Sequence, residues 1–345
     1  MFLSLLAAAS IQAAVRQPAA TVQTVDRSLS AYEKPGRLVR LSDGRLLHIK
    51  CVGTGTPTVL LTAGLGEWGA TWRLVQPALA ERYRTCAWDR PGIGFSSGSY
   101  RPQTVIATAA DLAEGLQKLK IAGPLVLVGH SLGGFETLIL ADRYRARVVG
   151  MVLVDPSIPN QITRFRRVAP AFAATIEASN AARPAFLRKC AAWVRRGADR
   201  SGLADPGDCL SFPSDYPPPL AKALARLDLD DARWAANISL SEQFAADTTL
   251  IANLRRNYGA MPLVVLTSSR LPSFDASTPS TVIQDAPHLL AELNEAHDEL
   301  ARLSTRGVNR SVPDSGHYIQ IEHPDAVIAA VDEVASRHPG VGAAP

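Results

Sequence analysis

The 345-residue chain is 47% hydrophobic and 20% charged, proportions that exclude a fibrous or disordered protein and suffice for one large core. Its formal charge of +4 is spread over the whole length, with no basic run interleaved by aromatics, so nucleic acid is not an expected partner.

Residues 1–14 (MFLSLLAAASIQAA) are apolar but too short to span a bilayer, and they read as a secretory signal segment even though no Lys or Arg precedes the run. A secreted or periplasmic protein with no stable membrane span is expected. Residues 15–35 are polar and aperiodic, the composition of a linker. Four cysteines, Cys51, Cys86, Cys190 and Cys209, lack the C-x-x-C spacing of a metal site. In an exported chain they suggest two disulfides, Cys51 with Cys86 and Cys190 with Cys209; four buried thiols are the alternative.

From residue 36, strands and helices alternate. Strands 37–41 and 45–51 flank Ser42-Asp43-Gly44, whose Asp-Gly step is a hairpin signal. There follow a buried strand at 58–62, a helix at 70–83, a strand at 84–88, a helix at 104–119, a strand ending at Val128, a helix at 132–144, and a strand at 148–154 stopped by Asp155-Pro156. This order predicts an α/β fold with a parallel sheet covered on both faces. Residues 157–260 depart from it: they have helical periodicity, many Ala and Arg, and three consecutive prolines at 217–219, and they read as a helical cap inserted after the sixth strand. Alternation resumes with a strand at 262–267, a helix at 287–303, a strand at 307–312 and a helix at 323–336, so 36–156 and 261–340 make up the core.

The fifth strand runs into Gly129-His130-Ser131-Leu132-Gly133-Gly134. A G-x-S-x-G pentapeptide between a buried strand and an amphipathic helix is the setting of a nucleophile elbow, where small neighbours leave room for a tight turn that exposes the serine. A serine hydroxyl is a weak nucleophile and needs a base, itself oriented by a third group. His317, in a Gly-containing loop after the last strand, is the candidate base. His48, His288, His297, His323 and His338 lie in a hairpin or along helices, and His130 reads as a packed neighbour of the elbow. For the developing oxyanion, the Leu132 N–H stands at a helix start directly after the serine, and a second donor is expected from the turn after the third strand, Leu65 N–H, with Gly66 N–H as the alternative.

The elbow, the Ala63-Gly64-Leu65-Gly66 turn, the Asp89-Arg90-Pro91-Gly92-Ile93-Gly94 loop and the Ser315-Gly316-His317-Tyr318-Ile319-Gln320 segment occur in an order that resembles the α/β-hydrolase superfamily, over 36–337 apart from the cap. The placement of Cys51 and Cys86 and the Gly-His-Tyr-Ile-Gln ending resemble an exported bacterial serine esterase-like branch. The resemblance implies a mostly parallel eight-stranded sheet, a Ser-His-acid triad, no cofactor or metal, and hydrolysis of a small-molecule ester through an acyl-enzyme. The usual place for the acid, just past the seventh strand, holds Arg270. Asp155, at the end of the sixth strand, is favoured, because a strand end fixes a side chain better than a loop does; Asp275 is the alternative.

The Asp89-Arg90 loop reads as structural, its G-x-G lacking the third glycine of a dinucleotide site. Arg164, Arg166, Arg167, Arg188, Lys189, Arg195 and Arg196 make the cap basic, as a solvated face or as an attraction for anionic substrates. A serine at position 131 argues against dehalogenase and epoxide hydrolase chemistry. It permits cofactor-free haloperoxidase, acyltransferase or C–C hydrolase activity, and a catalytically silent binding protein is the alternative of another class.

Overall fold

The computed structural model describes residues 25–198, 205–270 and 274–336. The expected signal segment lies outside them. Eight strands, β1 (Arg37–Arg40), β2 (Leu46–Val52), β3 (Thr58–Thr62), β4 (Arg84–Trp88), β5 (Leu125–His130), β6 (Val148–Val154), β7 (Leu263–Ser268) and β8 (Gly307–Val312), form one sheet in the order β1-β2-β4-β3-β5-β6-β7-β8. The pairs β1/β2 and β2/β4 are antiparallel and the rest parallel.

The two faces follow from alternation along each strand. Leu60, Leu125, Leu127, Met151 and Leu153 enter one apolar core, and Val59, Leu61, Val126, Val128, Val152 and Val154 enter the other, because successive side chains point to opposite sides of a pleated strand. The first core is covered by α2 (Val105–Lys118) and α3 (Gly133–Arg143). The second is covered by residues 72–83, which include α1 (Gln76–Ala80), and by α10 (Pro324–Ser336). Strand order reverses at β3: the chain steps to β4 on one side and to β5 on the other. The loops leaving β3 and β5 therefore splay apart at the carboxyl edge and leave a crevice, the place where open α/β sheets bind ligands.

Between β6 and β7 the described residues form four helices, α4 (Gln161–Val168), α5 (Pro170–Arg195), α6 (Pro218–Leu227) and α7 (Asp231–Asn253). The three prolines fall at the start of α6, Pro217 at its cap and the next two in its first turn, where their missing N–H groups have no helical partner to lose. α7 is fastened to the core by Arg233, whose guanidinium donates to the carbonyls of Gly94 (2.9 Å) and Ser96, and by Asn237, which donates to Gly92 O at 2.8 Å. The Asp89-to-Gly94 loop is thus the seat of the helical insert. A Cβ at Gly92, where φ is +78°, would fall 2.5 Å from Arg233 O, so only glycine allows α7 to approach this closely.

Several expectations are corrected. The 15–35 stretch is not all linker: residues Arg27–Tyr32 form a 3-10 helix with Leu29 and Tyr32 buried, held by an Asp26–Arg73 ion pair of 2.7 Å. The 70–83 helix is a 3-10 turn (Gly69–Trp72) followed by the short α1. The helix expected from Pro287 is α8 (Ser280–Ala301), which begins a full two turns earlier with Pro287 inside it. A proline reads as a helix start, but packing of Val282 and Leu289 against Phe165 and Phe172 of the insert carries the helix through it. The last predicted helix, 323–336, is α10, and a single helical turn that the sequence reading lacked, α9 (Ile319–Glu322), precedes it. Both disulfides are formed. Cys51 and Cys86 sit directly opposite each other in the β2/β4 register, and Cys190–Cys209 ties α5 to the loop before α6. Among the described residues no helix is long and apolar enough to cross a membrane.

Candidate active site

Ser131 follows β5 with φ at +51°, a left-handed conformation costly for a non-glycine residue. The surroundings fix it: Ser131 N donates to Val154 O at 3.1 Å, and its carbonyl accepts from Gly134 N (2.9 Å) and Ser157 N (3.0 Å). A Cβ on Gly133 would lie 2.5 Å from Ala63 O, so the elbow can press against the end of β3 only with glycine there. α3 begins directly after the elbow, with Leu132 at its N-cap, and its dipole points a partial positive charge at this position.

Asp155 ends β6 and also has positive φ, +39°. Its N–H donates to Leu266 O at 2.7 Å, while its Oδ1 accepts from Ser268 N at 2.9 Å, so β7 holds the carboxylate on both sides. Oδ2 lies 2.6 Å from His317 Nδ1. Burial alone would raise the Asp155 pKa, but the His317 hydrogen bond and charge, the nearby His297 and the Ser268 N–H outweigh it and bring it down to about 2. Asp275 is elsewhere: it is exposed and its Oδ1 accepts from Ser277 N (2.8 Å) and Ser277 Oγ (2.6 Å), an Asx turn closed on itself.

The loop carrying His317 is braced by the residue standing where an acid is commonly found. Arg270 donates to Asp314 O (3.0 Å) and pairs with Glu322 (2.6 Å), and Glu322 in turn accepts from Gly316 N at 3.0 Å. Ser315 O accepts from the Ser269 and Arg270 N–H groups. With the carboxylate supplied by β6, the β7 loop is free to carry a cation that clamps the loop of the imidazole.

His130 touches both halves of the site. Its Nδ1 lies 3.0 Å from Glu67 Oε2 and its Nε2 3.0 Å from His317 O, with the two histidine rings 4.6 Å apart. Glu67 Oε2 also accepts from Gly64 N at 3.1 Å. Burial would raise the Glu67 pKa, but the charge and hydrogen bond of His130 bring it down to about 2; for His130, burial lowers and Glu67 raises, with a net rise. Arg90 completes the brace: it donates to Ala63 O (2.6 Å) and Gly64 O (2.8 Å) and pairs with the buried Glu136. Neither Leu65 N–H nor Leu132 N–H has an acceptor among the described residues. The part of Glu67 was missed in the sequence, although a carboxylate three residues beyond Gly64 is well spaced to cap such a turn.

Beside the turn, a cavity of about 230 Å³ lies between core and insert, lined by Gly66, Trp68, Leu187, Phe212, Tyr216 and Trp234 among others. Among the described residues no three His, Cys, Asp or Glu side chains are grouped to hold a metal. On the basic face of the insert several arginines are ion-paired while most of them stay exposed: Arg164 and Arg167 with Glu292, Arg166 with Glu177, Arg188 with Glu242, and Arg195 with Asp231.

A strained serine between strand and helix, a carboxylate–imidazole pair on neighbouring strand ends and an eight-stranded, mostly parallel sheet define an α/β-hydrolase. The Alpha/beta hydrolase family model matches residues 59–330, and the chain belongs to that family. It is 26% identical to a candidate carbamate hydrolase, RutD, of Serratia proteamaculans over 80% of this chain and 94% of that protein. Other curated relatives match over much less of their own length, 30% and 42% in two cases. In fold it is similar to the epoxide hydrolase CorEH (TM-score 0.57, 19% identity, 87% of this chain and 98% of that one). It is also similar to the enol-lactonase of Burkholderia xenovorans (TM-score 0.52, 19% identity, 86% and 98%).

Proposed function

We propose that this hydrolase cleaves carboxylic esters through an acyl-enzyme, with Ser131 as nucleophile, His317 as base and then acid, and Asp155 as the group that orients the imidazole. The observation that carries the reading is the 2.6 Å contact of His317 Nδ1 with an ionised Asp155, at the strand end next to that of the strained Ser131. Asp155 holds the Nδ1–H tautomer, which leaves Nε2 to take the Ser131 proton as Oγ attacks the carbonyl carbon. The Leu65 and Leu132 N–H groups receive the oxyanion. The protonated His317 then delivers its proton to the leaving alkoxide; water, deprotonated by the same nitrogen, attacks the acyl carbon, and as the acyl–Oγ bond breaks His317 returns that proton to Ser131 Oγ. No step requires a cofactor.

Helices α4–α7 act as the lid, and the cavity beneath them takes one arm of the substrate. Two disulfides support an oxidising compartment, and hence export, for a chain of the esterase-like branch. A serine nucleophile supports ester over epoxide opening. The test is p-nitrophenyl butyrate turnover and fluorophosphonate labelling of wild type and Ser131→Ala: both signals should vanish in the variant while its circular dichroism and melting stay unchanged. Undiminished turnover by Ser131→Ala would overturn the reading.

A further inference from the structure

One arginine of the insert is unlike the rest. Arg183, on α5, has no carboxylate within 4.0 Å among the described residues, whereas five neighbouring arginines of the insert are each paired with one. Its Nε donates to Ser241 Oγ of α7 at 3.1 Å. Its other end lies on the turn after β3: a Cβ built on Gly66 would fall 2.4 Å from Arg183 Nη2. Gly66, with φ at +74°, is the residue after Leu65 and also lines the cavity. Arg183 is half-buried, and that partial burial depresses the pKa of its guanidinium.

A half-buried guanidinium with no carboxylate partner among the described residues is stabilised when a ligand supplies an anion. Ser241 accepts one N–H and orients the plane, leaving the Nη edge against Gly66 of the turn. That edge presents two parallel donors, the geometry that fits a carboxylate in a bidentate manner. We propose that Arg183 binds a carboxylate on the substrate, so that the favoured substrates are monoesters of short dicarboxylic acids, the free acid group paired with Arg183 and the ester carbonyl at Ser131. This deepens the serine-hydrolase reading of the same site and rests on it. Arg183 is a specificity residue: it touches the remote end of the substrate and takes no part in bond making.

The experiment compares monoethyl succinate and monoethyl glutarate with their diethyl esters, followed by pH-stat at neutral pH, on wild type, Arg183→Gln and Arg183→Lys. In Arg183→Gln, kcat/KM for the monoesters should fall about 10- to 100-fold through KM, the span of a charge-assisted pair, with the diesters unchanged. Arg183→Lys should recover part of the loss, because it keeps the charge and loses the fork. Equal losses on mono- and diesters, or none on either, would overturn the proposal. If wild type cleaves the diesters in a Ser131-dependent way without this charge preference, the serine-hydrolase reading stands and the Arg183 inference fails. If it cleaves none of the four, the ester reading fails for this substrate class, and calorimetric titration with glutarate decides the anion site. Binding that Arg183→Gln abolishes supports the site, and binding absent from wild type or equal in both proteins overturns it.

Discussion

Two acid–histidine pairs lie side by side at the carboxyl edge of the sheet, and they differ in how the imidazole is tied. In Asp155–His317 the imidazole uses Nδ1 toward the carboxylate, and its side chain is 25% exposed. In Glu67–His130 both ring nitrogens are engaged, by Glu67 and by His317 O, and the ring is fully buried. A base needs an open nitrogen facing the reaction; a strut needs both ends tied. Two carboxylate–imidazole pairs a few ångströms apart thus differ in connectivity, which is the ground for the different roles proposed for them.

The comparison can be broken most severely at the first pair. Ser131→Ala and His317→Gln should each lower kcat by about 10⁴- to 10⁶-fold, measured on p-nitrophenyl butyrate, with unfolding curves unchanged within error. Next comes the acid: Asp155→Asn should cost about 10³- to 10⁴-fold in kcat by letting His317 adopt the wrong tautomer, while Asp275→Asn, on an exposed turn, should leave kcat within about two-fold. Similar values for the two variants would mean that neither carboxylate orients the base.

At the second pair the balance between activity and stability should invert. Glu67→Gln removes one partner of a buried pair and should lower the unfolding free energy by about 3 kcal/mol, with kcat down only about ten-fold through a loosened Gly64 turn. A kcat loss as large as that of Asp155→Asn would give Glu67 a direct part in the chemistry. Opening the Cys190–Cys209 bridge by a double serine substitution should destabilise by about 3 kcal/mol for its 19-residue separation, read by urea denaturation; an unchanged midpoint would remove it from the stability account.

The smallest effect concerns pH. Asp155 and Glu67, both brought down to about 2 from ordinary values of 3.8 and 4.5, contribute stability that is fully present above about pH 4.5 and lost as the pH falls toward 2. Asp247 of α7 behaves in the opposite sense. Burial, helped by the charge of Glu136 and opposed by the Val105 N–H, raises it to about 7. Its stability contribution is therefore largest below about pH 4 and declines as the pH rises through 7. Asp247→Asn keeps an acceptor for Val105 N, 3.2 Å away in the native chain, and cannot ionise. It should melt a few degrees higher than wild type at pH 8 and about the same below pH 4, with a smaller difference between; a lower melting point at both would show that the carboxylate itself is required.

Much of this was legible in the chain because periodicity is local. Strands 58–62, 84–88, 148–154 and 307–312 are read at their observed bounds, since a run of β-branched and leucine residues between turn signals has few other ways to bury itself. The elbow is legible for the same reason: its glycines answer steric needs within five residues. Pro287 misled, because a proline signals a helix start locally and the packing that overrides the signal comes from the insert.

The sequence by itself determined the alternation that makes a doubly covered sheet, the strained serine between β5 and α3, and a histidine on the loop after β8. Tertiary structure alone decided the partnerships. Asp155 meets His317 across 162 residues and His130 meets His317 O across 187; Arg270 became a clamp, five arginines of the insert found carboxylates, and Arg183 found none among the described residues. Burial periodicity is written in neighbouring residues, whereas which charge faces which is set by how distant elements pack, and no local pattern carries that information.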